Sequence, residues 1–197
     1  MALAREQVVA FRELMGALVA YARRQPASPT SEAGGAQHGG RARQASPSDA
    51  EISQALDTAW NTPGMLEHFI AHNPAGLTAA QLETLATWQW RLSDTFVCLE
   101  ATPERLTVMN GERIFTVTAL GRPFTSMVRV VPSVVRLTLL PFAGHIVTDG
   151  RIIHRLDHLD PAAFPLIMDT LALLAEDGFV ETALELIEYA AGRMVSS

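Results

Sequence analysis

The sequence contains no lysine, and all fifteen of its cations are arginine. A Schiff-base enzyme, a P-loop nucleotide binder and a protein kinase each need a lysine as nucleophile or phosphate partner, so those classes are excluded. Cysteine is nearly absent too. The one cysteine, Cys98, rules out an intramolecular disulfide framework and a cysteine-based zinc site. It stands in the apolar run Phe96-Val97-Cys98-Leu99, where a small buried hydrophobe is the leading role and a reactive thiol the lesser one. No apolar stretch approaches the roughly 20 residues of a membrane span. Arg5, Glu6, Arg12 and Glu13 interrupt the N-terminus where a signal peptide would be unbroken. A cytoplasmic protein with no membrane contact is the expectation. Gly-x-Gly-x-x-Gly and Gly-x-Ser-x-Gly are both missing, so no cofactor is expected and no catalytic nucleophile stands out. A net charge of −6 would repel a phosphate backbone, which places nucleic-acid binding last among the functions considered.

What is present is apolar: 48% of the residues are hydrophobic and 18% charged, the balance of a packed globular chain. Residues 1–25 read as an amphipathic helical arm, with Val8, Phe11, Met15, Leu18 and Ala22 recurring at three- and four-residue steps. Residues 26–47 hold Pro, Ser, Gly, Ala, Gln and Arg without one large apolar side chain, the composition of a flexible linker. A helix with an apolar stripe needs a surface to cover it, because packing supplies most of its stability. That surface is this chain's own core, a second copy, or another protein.

Residues 48–197 read as a single α+β domain. Ser48-Asp49-Ala50-Glu51 and Thr78-Ala79-Ala80-Gln81 have capping-box spacing and open helices, with another helix after Thr62-Pro63. From about Asp94 the period changes to two, and six short strands follow: 95–100, 105–109, 113–119, 134–140, 145–148 and 151–156. Asn110-Gly111 and Asp149-Gly150 read as two tight hairpin turns, so an antiparallel sheet is expected. Phe124, Met127, Val128 and Val131 suggest one short helical face before Pro132. At the end, Asp160-Pro161 opens a helix that is apolar nearly all round from Leu166 to Ala175, as if pressed into a core. The last helix, from Thr182 to Met194, carries Leu184, Ile187, Ala191 and Met194 on one stripe.

Phe69-Ile70, Asn73-Pro74, Leu77-Thr78 and Trp88, followed by Leu139-Leu140-Pro141-Phe142, Gly144, Ile146 and Asp149-Gly150, resemble a bacterial protein family for which no activity is known. The resemblance spans about residues 65–156. It implies the architecture above and no function. Its motifs are those of turns and helix ends.

Histidine placement offers the best chemical lead. His68 and His72 are four apart on one helix face, the spacing of helical metal sites, with Glu67 adjacent. His154, Asp157, His158 and Asp160 gather where the last strand leaves the sheet, and His145 follows Pro141-Phe142. If His68/His72 and His154/His158 met in space they would supply a metal set. Solvated histidines and a polar capping loop are the plainer reading, and no metal ligand is assigned. Ser126 and Ser133 lack an evident base, Ser93-Asp94 marks a helix-to-strand boundary, and Glu100, Glu104 and Glu112 read as turn residues. Of Trp60, Trp88 and Trp90, Trp88 follows Leu85 onto the core face. Trp90 turns away, which suits either an interface or a helix–sheet junction. The leading expectation is a non-enzymatic interaction or regulatory protein with a protein partner or self-association. A metal-dependent hydrolase using the histidines is the alternative.

Overall fold

Helix α1 (Arg5–Ala22) buries Val8, Phe11, Met15, Leu18 and Ala22, and with them Leu14 and Val19. These seven form one row because every third or fourth residue of a helix returns to the same face. The cover is the chain's own core. The Phe11 ring lies 5.4 Å from that of Trp88 and 5.1 Å from that of Phe142, in tilted and edge-on contact. In this computed structural model residues 3–25, 48–156 and 159–195 are described; the expected linker at 26–47 and the pair Asp157-His158 lie outside them.

Three further helices complete this layer: α2 (Asp49–Asn61), α3 (Met65–His72) and α4 (Ala79–Thr87). Both expected capping boxes form. Ser48 and Thr78 accept the amides of Glu51 and Gln81 at 3.3 Å, and those two side chains accept the Ser48 and Thr78 amides in return. Asn73 ends α3 in a left-handed conformation, with φ at 41°, and its side chain both donates to and accepts from the backbone of Leu77. That clip, rather than Pro74 alone, stops the helix.

The sheet has seven strands: β1 (Leu92–Ala101), β2 (Arg105–Met109), β3 (Ile114–Thr118), β4 (Ser133–Phe142), β5 (His145–Thr148), β6 (Ile153–Leu156) and β7 (Phe179–Val180). Their order is β5-β4-β1-β2-β3-β7, with β6 also on β4. Every pairing is antiparallel except that of β3 with β7, so the sheet is mixed. The two ends then meet. His145 bridges Thr182, and the Ala183 amide donates to the Gly144 carbonyl at 3.1 Å, which curls the sheet into a nearly closed barrel.

Three hairpins are present, β1–β2, β2–β3 and β4–β5, and the last turns at Ala143-Gly144. Both of those residues have positive φ, 50° and 81°, as a two-residue primed turn demands. Asp149-Gly150 does something else. Strands β5 and β6 lie along the same edge of β4 and run the same way, Thr148 facing Leu139 and Ile153 facing Arg136. They are one strand interrupted by the excursion 149–152, with Gly150 at φ 92°. At Asn110-Gly111 only the glycine has positive φ, and the Asn110 side chain accepts the amides of Glu112 and Arg113. The result is a four-residue turn held by an asparagine side chain.

Two cores share β4 as a wall. Val135, Leu137 and Leu139 face the barrel interior with Phe96, Phe115 and Val117. Leu140 and Phe142 face the helical layer with Phe11, Leu56, Phe69 and Trp88. Alternation along one strand thus serves two apolar clusters, which is why β4 reads as almost continuously hydrophobic.

The last elements are α5 (Phe164–Glu176), β7 and α6 (Ala183–Val195). Asp160 accepts the Ala162 amide in a short 3-10 turn, and the α-helix proper starts only at Phe164, beside Pro165. The segment around Phe124 forms another 3-10 turn, shorter than the helical face its residues suggest.

Candidate functional site

The histidines have local partners. His68 and His72 stack on α3 with ring centroids 3.9 Å apart. The Tyr21 hydroxyl hydrogen-bonds the Nδ1 of His68, and Nδ1 of His72 donates to the His68 carbonyl at 2.9 Å. These bonds tie α3 to α1 and finish α3. Nε2 of His154 donates to the Met127 carbonyl at 2.8 Å, and Nδ1 of His145 lies 3.4 Å from the Thr118 hydroxyl. Among the described residues no three His, Cys, Asp or Glu side chains gather as a cation site. His158 and Asp157 belong to the undescribed pair, and Asp160 is occupied as a turn cap.

The remaining candidates also have structural surroundings. Cys98 is buried, and burial pushes its thiol up to about 12, so the thiolate needed for reactivity does not form near neutral pH. Ser126 is exposed and donates to the Pro123 carbonyl. Ser133 is fully buried, its hydroxyl without a hydrogen-bond partner among the described residues. Glu100 and Glu104 are exposed. Glu112 accepts from the Tyr189 hydroxyl, whose pKa is raised first by burial and then by that carboxylate. Asn110 donates to both Asp94 and Tyr189, and Arg193 reaches Asp94 at 3.3 Å; together these groups pin α6 to the β2–β3 turn. Trp88 is fully buried and Trp90 half-buried.

One polar cluster escaped the sequence reading. The Asp149 carboxylate, 1% exposed, accepts from Nε1 of Trp60 at 3.0 Å, from Nε and an Nη of Arg151 at 3.0 and 2.8 Å, and from the Arg151 amide at 3.1 Å. Arg151 also donates to the Ser53 carbonyl and to Asp57 at 3.0 and 2.8 Å. The excursion between β5 and β6 thus exists to reach across to α2, and Gly150 lets the chain turn back. Every lone pair in use is spoken for within the protein, so the cluster is a brace. The signal in the sequence is the Asp-Gly-Arg run, which sets a cation two residues from the carboxylate it pairs with.

The C-terminal elements are different. Leu186 of α6 joins the barrel cluster and Ala190 is buried, while the stripe Leu184, Ile187, Ala191, Met194 lies to one side of that row, with Ile187 and Ala191 half-buried and Leu184 and Met194 64% and 62% exposed. Helix α5 was expected in a core, yet none of its thirteen residues is buried. It contacts β3 without burying a residue there. Leu166 and Leu173 stand 69% and 68% exposed. Of the twelve large hydrophobic residues exposed in the described chain, eight belong to these last three elements: Phe164, Leu166, Met168, Leu173, Phe179, Leu184, Met194 and Val195.

Compared with protein-family models, with curated proteins and with solved structures, the chain matches none. Among the described residues, no helix is long and apolar enough to cross a membrane.

Proposed function

We propose that this is an interaction protein whose working surface is the C-terminal face of α5, β7 and α6, and that the face docks a second copy of the same chain. The observation that carries the reading is α5, in which nine of thirteen residues are Leu, Ile, Met, Phe or Ala and none is buried. Water does not support such a helix, since tertiary cover supplies most helical stability and contiguous apolar surface marks an interface. A helix that needs cover at all times needs a partner present at all times, and a second copy meets that condition by mass action.

Two features favour another helix as what is docked. The steps from Leu184 to Ile187, Ala191 and Met194 are three, four and three residues, the spacing of a helix–helix seam. Helix α5 has no basic residue, and Asp169 and Glu176 are its only charges, so its apolar rows meet their symmetry mates without a buried cation. The N-terminal helix, the other candidate for a partner surface, is engaged by its own core.

Sedimentation velocity of the full chain tests the reading, beside the variants Leu173→Glu and Leu184→Glu. A dimer that both substitutions convert into folded monomers is the expected result. A native chain that stays monomeric at every concentration, with a thermal midpoint independent of concentration, would overturn self-association.

A further inference from the structure

We propose that the hollow between α1 and the connection from β3 to β4 binds one molecule of a long-chain carboxylate. The hollow measures about 530 Å³, and Phe11, Met15, Val19, Leu120, Phe124 and Met127 make it apolar. That volume falls in the range of roughly 300–1,000 Å³ typical of small-ligand sites. A second hollow of about 650 Å³ adjoins it, the two sharing Ile52, Arg122, Met127, Asp149 and Gly150.

Charge selects the occupant. Arg122 borders both hollows and Arg129 borders the second. Neither has an ion-pair partner among the described residues, and the same holds of Arg12, which lines the first hollow and donates to the Leu120 carbonyl at 3.4 Å. The acidic groups nearby do not cancel them. Asp149 is neutralised by Arg151, and of the lining acids only Asp49 is left without a partner cation. In a chain of net charge −6, three cations without an ion pair among the described residues, Arg12, Arg122 and Arg129, favour a ligand with an anionic head and an apolar tail beside this apolar recess.

The glycine in α1 is the second, independent sign. A mid-helix glycine costs about 1 kcal/mol relative to alanine, so it usually reflects a close neighbour. Gly16 has none: a Cβ built there meets nothing within 4 Å. The residue lines the hollow, and its missing side chain keeps that space open. Gly16, Leu120 and Met127 keep accessible surface in the recess, and Phe11, Met15, Val19 and Phe124 are packed in the core behind them.

Isothermal titration of the full protein with dodecanoate below its micelle concentration tests the proposal. Saturable binding at one site is expected, with dodecyltrimethylammonium at least tenfold weaker and Arg122→Glu weakening dodecanoate at least tenfold. Gly16→Leu, and Ala20→Leu one turn along the same wall, are expected to abolish binding while the thermal midpoint holds or rises. Equal affinity for the two amphiphiles, binding retained in both leucine variants, no saturable binding, or binding to phosphatidylglycerol vesicles in place of monomeric dodecanoate would each overturn it.

Discussion

Replacing Asp149 with alanine should cost about 4 kcal/mol of folding stability. The carboxylate is 1% exposed and its partner Arg151 is 17% exposed, so both charges are held largely out of water. Removing one member of a buried pair costs about 3–5 kcal/mol, because the other is left without compensation. Here Arg151 keeps its 2.8 Å contact with Asp57, which is 57% exposed and supplies a partner only in solvent. That pulls the cost toward the lower figure. Against it, Nε1 of Trp60 loses its acceptor, and a buried donor left unpaired costs about 1–3 kcal/mol. With a urea m-value of about 2 kcal/mol per molar, the midpoint should fall by about 2 M. Asp57→Ala should change stability by less than about 1 kcal/mol, as an exposed partner does. The double variant Asp149→Leu with Arg151→Met should recover most of the loss, since it leaves no charge behind. Urea melts of the four proteins measure these differences. A loss under about 1 kcal/mol for Asp149→Ala, or no recovery in the double variant, would show that the cluster does not brace α2 to the sheet.

Three further outcomes follow from the packing. Phe11→Ala should destabilise by about 3–5 kcal/mol in a urea melt, because it empties the contact of α1 with Trp88 and Phe142. Ala143→Asn should stabilise by about 0.5–1 kcal/mol, since Asn-Gly adopts the two positive φ angles of this turn more readily than Ala-Gly. For Cys98, the folded thiol is pushed up from 9.0 to about 12, so both states hold the proton below pH 9 and the folded state holds it longer above. Its contribution to stability is therefore full below pH 9 and should fall by about 1.4 kcal/mol per pH unit from there to about 12. Comparing the native chain with Cys98→Ala at pH 8 and pH 10 isolates that slope; equal losses in the two proteins would contradict it.

The α+β architecture was legible because its signals are local. Capping boxes at Ser48 and Thr78, the period-two runs and the change of period near Asp94 all act within a few residues. What was not legible depended on which surface an element meets. Asp-Gly at 149–150 marks a chain reversal in either a hairpin or an excursion, and only the continued pairing of Ile153 with Arg136 distinguishes them. The two-residue β7 carries no periodicity of its own and forms because Phe115 offers a partner. In α6, Leu184, Ile187, Ala191 and Met194 make one apolar row and Leu186 with Ala190 another; sequence spacing does not say which row is inside. For α5, an apolar helix in the sequence suits a core or an interface equally well. The histidines at 68 and 72 did share a face, as their spacing requires, but Tyr21 stands where a second ligand pair would have to come.

The seam at His145 and Thr182 also orders events during synthesis. Helix α1 leaves the ribosome before its partners and has to wait for Trp88, and then for Phe142, before its aromatic contacts exist. Strand β3 keeps an unpaired edge until Phe179 and Val180 arrive, and the barrel cannot close before Thr182. Long-range pairings of this kind are slow, and open edges invite other strands in the meantime. A ribosome stalled before residue 179 therefore holds a chain with its first helix formed, its sheet open at both edges and nothing to seal either. Stop codons in that region should produce insoluble protein, although six of the seven strands have been made.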